Sequence, residues 1–190
     1  MYKLFVLVCF VFIVSNGCKN KSAKVKKGPV NYIDVTSYIK GQLAYLDTVP
    51  FAFLKTTLKD SVYGDSVFIT KQQLNEIAGK FLIPELEKSK FEELYNETSF
   101  MDASINTITL TYQPEDAALP VQRVDVYANP ENGEIKKIYI IRNEVKGDSV
   151  IHQQLLWKHN KSCTLITTKR KGDAPEINIS EKINWNDTEE

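Results

Sequence analysis

The chain holds two histidines, His152 and His159. They lie seven residues apart in a segment that alternates like a strand, so they would point to opposite faces and make no metal pair. Asp102-Ala103-Ser104-Ile105-Asn106 copies the opening of a calcium loop, with oxygen-bearing side chains at alternate positions. The copy then fails: Thr107 stands where the sharp turn needs glycine, and Gln113 where a glutamate would close the site. The segment reads instead as a turn from a helix into a strand. Glu85, Glu87, Glu92, Glu93 and Glu97 crowd one stretch, but Lys88 and Lys90 alternate with them. That is the pattern of a solvated, salt-bridged face, not of carboxylates whose pKa values burial has separated. Cys163 sits in Ser162-Cys163-Thr164-Leu165-Ile166, an alternating stretch with no neighbouring cation to lower its pKa, and reads as a small buried hydrophobe. P-loop, GxGxxG, GxSxG and HExxH motifs do not occur. These residues therefore assign no catalytic, metal or cofactor role, and the chain is expected to be no enzyme and to carry no cofactor.

The residue with the clearest chemistry is Cys18. Lys3 gives a short positive start, residues 4–14 form an unbroken apolar run of eleven, and Ser15-Asn16-Gly17-Cys18 closes it. The run is too short to cross a hydrocarbon core of about 30 Å, which takes roughly 20 helical residues. It is the right length for the apolar region of a signal peptide. The pattern resembles the signal peptide of bacterial lipoproteins, with Gly17 as the small residue before the cysteine. The resemblance implies cleavage after Gly17 and lipidation of Cys18. Ser15 stands where leucine is usual, and looser boxes of this kind are similar to those of Bacteroidota lipoproteins. Residues 19–30 then carry five lysines and almost nothing apolar. Such a segment is a self-repelling tether that reaches about 40 Å at most when extended. Surface-exported lipoproteins of that group carry acidic residues after the cysteine, whereas this chain has Lys19-Asn20-Lys21. The resemblance therefore implies an outer-membrane anchor facing the periplasm.

Asp47-Thr48-Val49, Asp60-Ser61-Val62, Asp65-Ser66-Val67 and Asp148-Ser149-Val150 repeat one triplet, Asp, then Ser or Thr, then Val. This resembles the O-glycosylation acceptor motif of exported Bacteroidota proteins, which makes Thr48, Ser61, Ser66 and Ser149 candidate acceptors. Turn chemistry gives the same triplet, because Asp and Ser close a turn and a β-branched residue opens a strand.

Positive charge is concentrated at the start of the chain. Residues 31–190 hold 18 Lys and Arg against 24 Asp and Glu, so the body is acidic. That argues against a nucleic-acid partner, which needs a basic face. With Cys9 in the leader and Cys18 lipidated, Cys163 has no partner for an intramolecular disulfide.

The elements that would carry these residues follow from periodicity. Residues 34–48 predict an amphipathic helix on Val35, Tyr38, Ile39, Leu43 and Leu46, capped by Asp34 and stopped by Pro50. Residues 51–58 and 62–69 read as a hairpin. Thr70 to Gln73 spell a capping box that opens a second helix, ended by Pro84. Residues 85–95 predict another helical piece. From Ile105 the period becomes two, with strands over 105–112, 121–127, 135–142, 149–157 and 162–168 and a last one through Ile177, Ile179, Ile183 and Trp185. The expected fold is α+β, with N-terminal helices and a short hairpin packed on one face of a C-terminal antiparallel β-meander. The expected division is a signal peptide over 1–17, the lipidated cysteine and tether over 18–30, one globular domain over 31–187 and a frayed tail over 188–190.

Asn96-Glu97-Thr98-Ser99-Phe100-Met101-Asp102, Arg123-Val124-Asp125-Val126-Tyr127 and Leu156-Trp157-Lys158 resemble segments of small uncharacterised Bacteroidota lipoproteins. The resemblance spans most of residues 31–187 and implies no activity. The expected function is a membrane-anchored envelope lipoprotein acting as a non-enzymatic binding or assembly module. Its partners would be the membrane, through the lipid on Cys18, and another envelope protein. Tyr127, Tyr139 and Trp157 are the aromatics expected on its binding surface. The alternatives are a periplasmic carrier or sensor of an apolar ligand and an enzyme of unrecognised type.

Overall fold

Asp34 starts the first helix as its side chain dictates: Oδ1 accepts from the Ser37 amide and Oδ2 from the Ser37 hydroxyl, both at 2.8 Å. The computed structural model describes residues 32–186; Cys18, the leader, the tether and the tail over 188–190 lie outside them. Helix α1 (Val35–Thr48) buries Val35, Ile39 and Leu46, and its backbone turns extended at Val49, just before Pro50. Helix α2 (Lys71–Ala78) opens on the capping box. The Thr70 hydroxyl accepts from the Gln73 amide at 3.2 Å, and the Gln73 side chain accepts from the Thr70 amide at 2.9 Å. Two 3₁₀ turns follow, Gly79–Phe81 and Pro84–Leu86, and then helix α3 (Lys88–Leu94). The helical piece read over 85–95 is thus split, and Tyr95 belongs to a strand instead.

Nine strands make one antiparallel sheet: β1 (Phe53–Lys59), β2 (Val62–Ile69), β3 (Tyr95–Asp102), β4 (Thr107–Pro114), β5 (Val121–Ala128), β6 (Ile135–Lys146), β7 (Ser149–Lys158), β8 (Ser162–Lys171) and β9 (Ile177–Asn184). Their spatial order is β2-β1-β9-β8-β7-β6-β5-β4-β3. The fold is α+β, an open antiparallel sheet with a few helices, as expected. The β1–β2 hairpin is not laid on a face of the sheet. It extends the sheet, with Lys55 opposite Ile183 and Thr57 opposite Glu181. A two-stranded hairpin is marginal alone, and pairing with β9 satisfies a row of backbone groups on both strands. Strand β3 also departs from expectation. Asp102 to Asn106 is therefore a turn between two strands, and β4 begins at Thr107, after Asn106 at φ 44°.

Two hairpin loops show how local sequence sets the register. Lys146 pairs with Ser149 around Gly147-Asp148, and Gly147 sits at φ 61° in the first loop position, which favours glycine. Lys59 pairs with Val62 around Asp60-Ser61, where both loop residues have positive φ, 50° and 66°.

The register divides the sheet residues into two faces. Tyr112, Val124, Ile140, Leu155 and Leu165 are successive cross-strand neighbours, as are Val126, Ile138, Trp157, Cys163 and Ile183. All are buried, and they share one core with Val35, Ile39, Leu74, Phe81 and Phe91 from the helical segments. Aromatic rings join the two sets. Phe91 meets Tyr112 at 4.7 Å and Tyr95 at 4.8 Å between centroids, and Trp157 meets Trp185 at 5.6 Å.

Candidate functional site

The opposite face carries the other parity. Thr109, Tyr127, Lys137, Lys158 and Ser162 form one cross-strand row, and Thr111, Asp125, Tyr139, Leu156 and Thr164 form the next. Of the three aromatics expected on a binding surface, Tyr127 and Tyr139 lie here and are half-buried. Trp157 does not. It pairs with Ile138 and Cys163 on the core face and is 0% exposed, so its assignment to a surface is corrected. The reason is parity: Leu156 occupies the outer position, which turns Trp157 inward.

Asp125 anchors the centre of this face. It is 2% exposed, and it accepts from Arg123 Nε at 2.9 Å through Oδ1 and 2.8 Å through Oδ2. The Thr111 hydroxyl also donates to Oδ1, at 2.6 Å. Alternation explains the pairing, because positions two apart on a strand share a face. The buried carboxylate holds the Arg123 guanidinium above its usual range. It also helps burial push up the phenols of Tyr127 and Tyr139. The Tyr139 hydroxyl donates to Gln154 Oε1 at 2.8 Å, which fixes its ring beside Leu156. Ile141 and Ile166 flank Gln154 in the next row, so Tyr139, Leu156, Ile141 and Ile166 form a half-buried apolar patch around it.

At one end of the same face the character changes. A groove of about 540 Å³ opens between Thr107, the start of β6 and the turn joining β7 to β8. Lys136, Lys137, Lys158, Lys161 and His159 line it, with Tyr127 as an aromatic wall and Glu134 as its carboxylate. Lys137 Nζ lies 3.9 Å from the centre of the Tyr127 ring. Lys136 Nζ donates to Asn106 O at 2.9 Å and to Thr107 Oγ1 at 2.8 Å. His159 Nδ1 lies 2.6 Å from the Tyr38 hydroxyl, and Nε2 lies 3.0 Å from Asn160 Nδ2 and 3.8 Å from Glu134. Sequence reasoning passed over this cluster. Its signal was present as Lys136-Lys137 and Lys158…Lys161, two pairs bordering turns at one end of the sheet.

The candidate acceptor hydroxyls separate. Thr48 ends α1, Ser61 is in the β1–β2 loop and Ser66 is on β2, and all three are exposed. Ser149 is buried, with its hydroxyl 3.4 Å from Asp148 Oδ1, so unlike the other three it is not presented at the surface of the folded chain. Asp102 Oδ1 is taken by the amide and hydroxyl of Ser104, at 2.9 and 2.6 Å, which draws its carboxyl below the usual range. Those bonds close a turn. Of the clustered glutamates, Glu87, Glu92 and Glu93 are exposed, whereas Glu97 lies half-buried on β3 opposite Tyr112, where its carboxylate adds to the burial that pushes the Tyr112 phenol up. Cys163 is buried, and burial followed by the Glu181 charge pushes its thiol up to about 12. No family model, curated protein or solved structure matches the chain.

Proposed function

We propose that the chain is a lipid-anchored envelope protein that binds another envelope component through the sheet face carrying Tyr139. Cys18 carries the lipid, residues 18–30 hold the domain off the outer membrane on its periplasmic side, and the helices cover the face that carries Trp157. The observation that carries this reading is the patch of Tyr139, Leu156, Ile141 and Ile166, held by Gln154 and bordered by the Arg123–Asp125 pair. It joins apolar surface to fixed polar groups, the composition of the centre of a protein interface. A carrier of an apolar ligand has less support, because the space it would need is filled by Trp157, Phe81, Phe91 and Tyr112.

A photoreactive amino acid placed at position 156 tests the reading in native cells, with position 76 on α2 as the comparison. Light should give a discrete adduct from position 156 and none from position 76. Equal adducts from both, or none from either, would overturn it.

A further inference from the structure

We infer that the lysine-lined groove at the end of the sheet is a binding site for a small, soluble, phosphate-bearing solute. The inference stands apart from the partner face, which it touches only through Tyr127 and Lys137.

The charge balance is the first argument. The body carries 18 Lys and Arg against 24 Asp and Glu, yet among the described residues four lysines and a single glutamate line this groove. A concave site lined by one sign of charge focuses its field and concentrates counter-ions. Lys136 and Lys137 open β6, and Lys158 and Lys161 flank the β7–β8 turn, so the fold assembles the cluster and no single run of sequence does. Lys137 and Lys158 lie directly opposite each other on neighbouring strands.

The side chains are also placed for recognition. The Tyr127 ring holds Lys137 Nζ by its π face and leaves the ammonium protons available to an oxygen acceptor. Lys136 Nζ spends two donors on Asn106 O and Thr107 Oγ1, which fixes it at the wall with one donor left over. The Tyr38 hydroxyl and the Asn160 amide clamp the His159 ring from both nitrogens. The four lining lysines present ammonium groups, which act as point charges toward the several oxygens of a phosphate, and Lys136 and Lys137 are held in place by their contacts. A volume of about 540 Å³ falls in the range of small-molecule sites, roughly 300–1,000 Å³. Tyr127 and Ile135 supply an apolar wall for the remainder of the solute, and a flat bilayer surface could not enter such a groove.

The test uses the full lipidated chain in neutral detergent, titrated calorimetrically with inorganic phosphate and pyrophosphate at constant ionic strength. Saturable binding is expected, with roughly tenfold or greater weakening in the Lys137→Gln/Lys161→Gln double variant. The unfolding midpoint of that variant should be unchanged, and a Lys40→Gln/Lys88→Gln control should bind as the parent does. Absence of saturable binding, or equal binding by both double variants, would overturn the inference. So would acetylation footprints in which Lys137 and Lys161 are protected only after reconstitution into phosphatidylglycerol vesicles, which would assign the cluster to the membrane. Photoadducts at position 156 report on the partner face alone, so either reading can fail without the other.

Discussion

The ring of Phe81 meets the ring of Trp157 edge-on, with centroids 5.4 Å apart and planes at 79°. Phe81 sits in the turn after α2 and Trp157 on a central strand, so the contact ties a helical segment to the sheet. Trp157 is fully buried, and its Nε1 has no hydrogen-bond partner among the described residues. Trp157→Ala should therefore cost about 3–5 kcal/mol by leaving a cavity against Phe81 and Trp185. Trp157→Phe keeps most of the packing and removes an unpaired N–H, whose burial costs roughly 1–3 kcal/mol. Chemical denaturation should place the phenylalanine variant within about 1.5 kcal/mol of the parent. Equal losses from both substitutions would show that the indole N–H is paired in solution.

Ser61 is strained where glycine would not be. It follows Asp60 in a two-residue loop with φ 66°, the left-handed region that costs a residue with a Cβ about 1–2 kcal/mol. Asp60 must stay, because its Oδ1 accepts from the Asn178 amide at 2.8 Å and its amide donates to Asn178 O. Ser61→Gly should raise stability by about 0.5–1 kcal/mol without changing the slope of the denaturation curve. A loss of stability would mean that the loop does not hold this geometry in solution.

The hydrophobic period of residues 35–46 and the Thr70–Gln73 box are enough to place α1 and α2, because both are local signals. The glycine turns are legible for the same reason. Strand β3 is not, since Asn96, Glu97, Thr98 and Ser99 show no apolar alternation and become a strand by pairing with Gln113, Tyr112, Thr111 and Leu110. The site of the first hairpin is equally hidden: its partner β9 lies over a hundred residues away, and no local pattern specifies that pairing. Leu155-Leu156-Trp157 is a third case. Three apolar residues in a row leave the inward parity open, and only the ladder to Ile138 and Cys163 decides it. The lysine groove joins turns that are distant in sequence, so its charges look scattered until the sheet brings them together.

Alkaline pH should destabilise the fold partly through Cys163. Burial raises its thiol from the ordinary value of 9.0 to about 12, with the Glu181 charge adding to the effect. A raised folded pKa contributes stability that is full below about pH 9 and is lost as pH rises toward about 12, at up to about 1.4 kcal/mol per pH unit. Tyr95, pushed up to about 12 by burial and Glu85, bends the curve the same way. Cys163→Ala should therefore show a shallower loss than the parent between about pH 9 and 11. Parallel curves would mean that the thiol stays in contact with solvent. The buried thiol should also resist alkylation until denaturant is added.

Cys18 is the point at which the proposed localisation can fail. Intact-mass measurement of the native protein should show a chain that starts at Cys18 and carries fatty acyl chains. Cys18→Ala should lose that mass, retain the leader and shift out of the lipoprotein-enriched detergent phase. A native mass equal to the unmodified full chain would remove the anchor from the proposal. The folded domain over 32–186 would still stand, because its core is built from residues that follow the tether, from Tyr32 and Val35 onward.

The Arg123–Asp125 pair gives the proposed partner face a test that does not need the partner. Asp125 is covered by Arg123 and takes three hydrogen bonds from Arg123 and Thr111, so losing the carboxylate leaves those donors unmatched. The Arg123 side chain is 45% exposed and can turn to water, which caps its share of the loss. Asp125→Ala should cost about 1–3 kcal/mol, most of it from the Thr111 hydroxyl and the space left between Tyr127 and Tyr139. Asp125→Asn keeps the shape and should cost less than half as much. Tyr139 would then become the sensitive reporter: its phenol is held up by burial first and by the Asp125 charge second. In Asp125→Asn its absorbance titration should move to lower pH while the fold is retained. An unchanged titration would place the carboxylate outside the electrostatics of this face and leave Tyr139 governed by burial alone.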